Sequence, residues 1–72
     1  KMAYYRLETS NLEKAIDLLE SLIGVRVISK HSTTILFCFN EIEAVLNKDK
    51  LLSNDYIHSI NFESSLIKYF YD

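Results

Sequence analysis

The stretch SNLEKAIDLLESLIG, residues 10–24, carries the clearest pattern in the chain. Leu12, Ala15, Ile16, Leu19, Leu22 and Ile23 recur at spacings of three and four, so they share one side of a helix. Leu18 stands at the border of that stripe. Ser10 suits the N-cap, because its hydroxyl can accept from the backbone N–H groups that the first turn leaves unpaired. Glu13, three residues on, completes a capping box. Gly24 is the single glycine of the chain and falls just past the last apolar residue. A left-handed residue is needed there, and glycine adopts that conformation without steric cost. The spacing therefore predicts a helix over 10–24. Its outer face holds Glu13, Lys14, Asp17, Glu20 and Ser21. Glu13, Asp17 and Glu20 form an acidic ridge, whose like charges cost the helix about a few tenths of a kcal/mol. A solvated helix face accounts for such a ridge. It is also a candidate surface for a basic partner.

Upstream of this helix, residues 3–8 (AYYRLE) alternate. Ala3, Tyr5 and Leu7 point one way; Tyr4, Arg6 and Glu8 point the other. That is the pattern of a half-buried strand. Downstream, residues 25–30 (VRVISK) read as a second strand, with Val25, Val27 and Ser29 on one face and Arg26, Ile28 and Lys30 on the other. Lys30, His31 and Ser32 then form a short polar hairpin loop. Residues 33–39 (TTILFCF) are the most apolar run and read as the central strand.

Asn40 repeats the logic of Ser10. It can cap a second helix, Glu43 stands three residues on, and Glu41 and Glu43 favour the positive end of the helix dipole. Ile42, Val45, Leu46, Asp49 and Leu52 follow helical spacing and form the expected inward stripe, with Asp49 its imperfect member. Ser53, Asn54 and Asp55 break the pattern. Residues 56–62 (YIHSINF) read as a fourth strand. Residues 65–71 suit a further strand pairing back on 56–62 through Glu63 and Ser64, with a short helix capped by Ser64 as the alternative.

The expected fold is thus α+β, a single domain over 1–72. An antiparallel sheet of about four strands carries two helices on one face, in the order β-α-β-β-α-β, with an extra C-terminal strand in reserve. That order resembles the ferredoxin-like arrangement. Tyr5, Leu7, Val25, Val27, Ile35, Phe37 and Phe39 are expected to face the helices. Tyr4, Arg6, Arg26, Ile28, Leu36 and Cys38 are left on the open face. Such a strip is too apolar for plain solvation and rich in the Tyr and Arg enriched at interfaces. Closure of this face by the C-terminal Tyr-Phe-Tyr is the competing expectation.

Composition narrows the function. A 72-residue chain buries only about 60% of its unfolded surface. The net charge of −2, without any run of basic residues, argues against direct nucleic-acid binding. An RNA-stacking sheet also lacks its glycine-bearing motif, since 33–39 has neither glycine nor a basic residue. One cysteine cannot form an internal disulfide. No apolar run approaches the ~20 residues of a membrane span. The start KMAYYRLE is no signal peptide, and Met2-Ala3 reads as a natural start behind a leftover Lys1. A cytoplasmic location follows by elimination. The absence of Pro and Trp with abundant Ile, Leu, Ser, Lys and Asn suits an AT-rich genome, a bias common in small proteins of phages and other mobile elements.

Chemistry finds few footholds. No phosphate loop or nucleophile elbow occurs. His31 and His58 stand apart, and one Cys with two dispersed His lacks the paired spacing of a zinc site. A Cys38–His58 pair across neighbouring strands would have the reach of a nucleophile and its base, but Cys38 lies among apolar residues that keep a thiol inert. The chain is therefore expected to be no enzyme, with no cofactor and no metal. The reading is a protein-binding module, a small inhibitor or adaptor that occludes its partner. The contacts would come from Glu13, Asp17 and Glu20 or from Tyr4, Arg6, Arg26 and Ile28. A basic, nucleic-acid-binding protein fits the ridge. A structural homodimer joined through open faces or edge strands is the alternative.

Overall fold

The computed structural model describes residues 2–60 and 63–69. Four strands and three helices follow in the order β1 (Met2–Glu8), α1 (Leu12–Glu20), β2 (Arg26–His31), β3 (Thr34–Asn40), α2 (Glu41–Leu52), α3 (Asn54–His58) and β4 (Ser65–Tyr69). The strands form one antiparallel sheet in the order β2-β3-β1-β4. Since every neighbouring pair is antiparallel, β1 and β2 run parallel with β3 between them. Likewise β3 and β4 run parallel with β1 between them. The α+β class and the four-stranded antiparallel sheet are as the sequence implied.

Alternation on the two central strands decides where the core lies. Tyr5, Leu7, Ile35, Phe37 and Phe39 project from one face and are buried. They pack with Ala15, Leu19 and Leu22 of the first helical region, Leu51 of α2, and Ile57 and Ile60 around α3. Tyr5 stacks on Phe37 at 5.2 Å, and Phe39 meets both rings edge-on at 5.9 and 5.8 Å. Contacts of this kind add about 0.5–1.5 kcal/mol per pair to the burial itself.

Four expectations change. The first helix is shorter than residues 10–24. Its N-cap is Asn11, not Ser10, and the Asn11 side chain accepts from Lys14 N at 3.2 Å. Thr9 sets this start, because its buried hydroxyl accepts from Asn11 N at 3.1 Å and from Ser64 Oγ at 2.9 Å. At the other end the Leu18 carbonyl accepts from Ser21 N, Ser21 Oγ and Tyr56 OH at 3.2, 2.5 and 2.7 Å. Leu22 N turns to Leu19 O at 3.0 Å. The ladder tightens into three-residue turns there and stops. Gly24 does adopt a left-handed φ of 74°, but in the turn into β2 rather than as the helix cap.

The second change is in the hairpin. His31 belongs to β2, and the turn is the pair Ser32-Thr33, with Ser32 left-handed at φ 58°. A bulge between Val27 and Ser29 shifts the register of β2. Val27 stays opposite Phe37, but Ser29 moves opposite Leu36 and Lys30 opposite Ile35. Downstream of the bulge every side chain therefore changes face. Ser29 joins the open face and Lys30 the helix side, the reverse of strict alternation.

The third change is in the chain after α2. Tyr56 and His58 lie in α3, not in a strand, while Asn61 and Phe62 lie outside the described residues. Ile57 and Ile60, three apart, are the buried pair. The fourth strand is instead Ser65–Tyr69, and it pairs with β1 rather than back on 56–62. Closure of the open face by Phe70 and Tyr71 lies outside the described residues.

The fourth change concerns α2. Asn40 is both the last residue of β3 and the cap of α2, its side chain accepting from Glu43 N at 2.8 Å. No loop separates strand from helix, so the strand dictates which side of the helix lies on the sheet. That side is Glu43, Ala44, Asn47 and Leu51. Asn47 is buried and donates to Glu43 O at 2.8 Å and to Ile23 O at 3.0 Å, which ties the exit of α1 to α2. The expected inward stripe Ile42, Val45 and Leu46 faces water instead, with exposures of 74, 68 and 62%.

Among the described residues no helix is long and apolar enough to cross a membrane.

Asn47→Ala removes both bonds of a buried amide and leaves its site unfilled, so it is expected to cost about 1–3 kcal/mol in urea unfolding. Lys48→Ala beside it should stay within about 0.5 kcal/mol. Gly24→Ala should cost more than about 1 kcal/mol, since φ is positive and an added Cβ would meet the Glu43 carboxylate.

Burial raises the phenol pKa of both Tyr5 and Tyr56. The charged form is disfavoured in the fold, so these groups stabilise fully below the unfolded value of about 10 and less as pH rises through the raised values. Stability measured from about pH 9 to 11 should therefore fall, and Tyr56→Phe should fall less steeply, while starting about 1 kcal/mol lower for want of the bond to Leu18.

Candidate interaction surfaces

The strand register lays out the sheet face away from the helices as three rungs. Arg26, Cys38 and Tyr4 are neighbours across β2, β3 and β1. Ser29, Leu36, Arg6 and Ile67 form the next rung, and His31, Thr34, Glu8 and Ser65 the third. The first rung is basic and aromatic, the second mixes two apolar groups with Ser29 and Arg6, and the third is polar. Thr34 Oγ1 donates to both Glu8 oxygens, and Arg6 Nε lies 3.9 Å from Glu8 Oε2. Arg26 Nη2 reaches Met2 Sδ at 3.7 Å, a weak donor contact along the edge of this face.

Of the residues expected on this face, Tyr4 and Arg6 are half-buried, Arg26 is exposed, and Ile28 at the bulge is 51% exposed. Ile67 of β4 adds a further apolar group at 40%. Sequence reasoning missed Ile67 because it placed residues 65–71 against the wrong strand. Cys38 lies on this face too but is buried between its neighbours and forms no disulfide.

The acidic ridge lies on the other layer. Glu13, Asp17 and Glu20 are all exposed on α1. The bulge brings Lys30 to the same side, where it lines one open depression with Leu12, Glu13, Ile16 and Asp17. A lysine at that place offsets part of the ridge's charge. The ridge and the open sheet face are separated by the sheet, so the two candidate sets do not form one site.

The third surface was not expected as a surface at all. Ile42, Val45 and Leu46 stand on the outer side of α2, and Ile23, whose carbonyl Asn47 holds, stands beside the helix at 61% exposure. Their spacing is a sound helical signal; what it does not tell is whether the core or the solvent lies on that side.

The pairing considered for Cys38 and His58 is not formed. His58 sits exposed on α3 in the helix layer, whereas the Cys38 side chain projects from the opposite face of the sheet. His31 is exposed at the end of the edge strand. Among the described residues no three His, Cys, Asp or Glu side chains gather to hold a metal ion.

Comparison with protein-family models, with curated proteins and with solved structures finds no match.

Burial of Cys38 gives a direct check of the register. Its thiol should react with an aromatic disulfide reagent at least about tenfold more slowly in the native protein than in urea, because access requires the sheet to open. Equal rates would put Cys38 on a bare surface.

Proposed function

We propose that the chain is a protein-binding module without catalytic activity, a small inhibitor or adaptor that covers part of a partner protein. Its contact surface is the sheet face carrying Tyr4, Arg6, Arg26 and Ile28, extended by Leu36 and Ile67. One observation carries this reading: among the described residues no helix lies on that face, and its first two rungs hold an aromatic, two arginines and two aliphatic groups side by side. Tyr and Arg anchors among apolar groups are the composition of interface centres. The bulge supports the reading as well. It holds Ile28 out toward solvent beside Arg26 on an edge strand and discourages indiscriminate strand pairing there. A partner for this face presents acidic and apolar groups. The ridge of Glu13, Asp17 and Glu20, which would suit a basic, nucleic-acid-binding protein, is the weaker candidate because Lys30 sits against it. Direct nucleic-acid binding is weaker still, given the acidic balance of the chain.

For the connectivity we infer a ferredoxin-like arrangement with α3 as an addition. Two interleaved β-α-β units, each split by a strand of the other, support this assignment. A reducing compartment such as the cytoplasm suits the free, buried Cys38.

The test is capture on immobilised protein from extract of the source cell, compared across variants. Arg26→Glu with Ile28→Asp changes exposed positions on an edge strand and should leave the fold intact. It is expected to weaken capture at least about tenfold. Asp17→Arg on the ridge should leave capture unchanged. The reverse pattern would transfer the function to α1.

A further inference from the structure

Three features outside the proposed contact face bear on what else the molecule does: the depression beside α1, the buried Cys38, and the outer side of α2. The depression is bounded by an acidic pair and Lys30 with no further polar group aimed into it. Cys38 is a lone buried thiol. The outer side of α2 differs from both, because its apolar and charged groups have an order along the helix.

At about 100° per residue, Ile42 and Asp49 lie on the line opposite the buried Asn47, with Val45 and Leu46 to either side. Glu41 and Lys48, both exposed and seven apart, share the flank next to Val45. Neither makes an ion pair among the described residues, whereas Lys50 on the other flank already lies over the Tyr56 ring at 5.5 Å. The acidic member of the free pair is at the N-terminal end of the stripe and the basic member at the C-terminal end. A sequence of that kind is complementary to itself when reversed.

We propose that the outer side of α2 binds a second copy of this chain, with the two α2 helices antiparallel about a two-fold axis between Val45 and Leu46. In that register Val45 meets Val45 and Leu46 meets Leu46 of the second copy on either side of the axis, and Ile42 lies opposite Asp49 at each end. Glu41 of each copy falls beside Lys48 of the other. A two-fold axis repeats every such contact, so one favourable charge pair becomes two. Parallel pairing would instead turn the flank with Glu41 and Lys48 toward the opposite flank, where Lys50 already lies over Tyr56, and would align rather than oppose the helix dipoles. Asp49 interrupts the stripe but lies at the ends of the contact, where water reaches its carboxylate. The helix is 12 residues, or about 18 Å, long. The contact is therefore at the small end of specific interfaces, and the dimer is expected to dissociate in the micromolar range. This pairing does not depend on the use of the sheet face.

Sedimentation equilibrium of the whole chain from about 10 µM to about 1 mM tests it, with circular dichroism to confirm that each variant is folded. The wild type should show a reversible monomer–dimer equilibrium. Leu46→Glu should weaken it at least about tenfold, and Asp49→Leu, which completes the stripe, should strengthen it by about tenfold or more. Lys48→Glu alone should weaken the dimer at low salt, and Lys48→Glu combined with Glu41→Lys should restore it. Wild type and Asp49→Leu both remaining monomeric across this range would overturn the proposal. So would a dimer that Leu46→Glu leaves intact, which would place the contact elsewhere. A dimer that Leu46→Glu breaks but that the paired charge reversal does not restore would overturn the antiparallel register.

Discussion

A strand that becomes a helix with no residue between them leaves the helix no choice of face. Asn40 ends β3 in the sheet ladder and caps α2 in the same position. Phe39 before it is committed to the core, and Glu43, Ala44, Asn47 and Leu51 after it follow at helical spacing onto the sheet. The local pattern alone would rotate α2 by about half a turn, to bury Ile42, Val45 and Leu46. Each such side chain is worth about 1.5–3 kcal/mol when buried. The rotation would unseat the Asn40 cap, draw Asn47 out of its two bonds and pull Phe39 from the aromatic cluster. The cap and the two bonds are worth about 1 kcal/mol each, and loss of a buried Phe costs about 3–5 kcal/mol. The junction prevails because several groups depend on it at once, while the stripe is a local preference.

The aromatic cluster on β1 and β3 is what makes those strands central. Tyr5, Phe37 and Phe39 interlock across neighbouring strands, and the register that brings them together also lines up Leu7 with Ile35. A slip of one residue would put all of them on the opposite face. β2 has no comparable anchor. Its six residues are exposed, and it tolerates a bulge that the central pair could not. The same weakness turns Lys30 toward α1, moves Ser29 to the open face and leaves Ile28 exposed at the bulge, so the chemistry of both sides of the sheet depends on one extra residue in an edge strand.

What the sequence made legible follows from how local each signal is. The alternation of residues 3–8 and the apolar run 33–39 located both central strands, and Tyr4 and Arg6 of β1 and Arg26 of β2 lie on the face where alternation put them. The cap at Asn40 was readable because a short polar side chain three residues ahead of an acidic one has a local cause. The first helix was recognisable, but its ends were not, since Thr9 and Tyr56 set them through bonds to distant segments. Residues 56–62 read as a strand because Tyr, Ile and Phe suit strands. The competing clue was the pair Ile57 and Ile60, which only the packing of a short helix uses. The bulge in β2 had no glycine to announce it. The inverted stripe of α2 was beyond any reading of periodicity, because a period gives the shape of a face and not its direction.

The two proposed surfaces lie on opposite sides of the molecule. α2 belongs to the helix layer, and the face with Tyr4, Arg6, Arg26 and Ile28 belongs to the far side of the sheet. Two copies joined through α2 would stack as sheet, helices, helices, sheet, with both open faces outward and related by the same two-fold axis. Neither contact would then obstruct the other. A partner with two copies of the matching epitope, or a symmetric partner, would meet both faces of one dimer, and the second engagement would proceed at the effective concentration set by the first. A weak dimer is sufficient for that purpose.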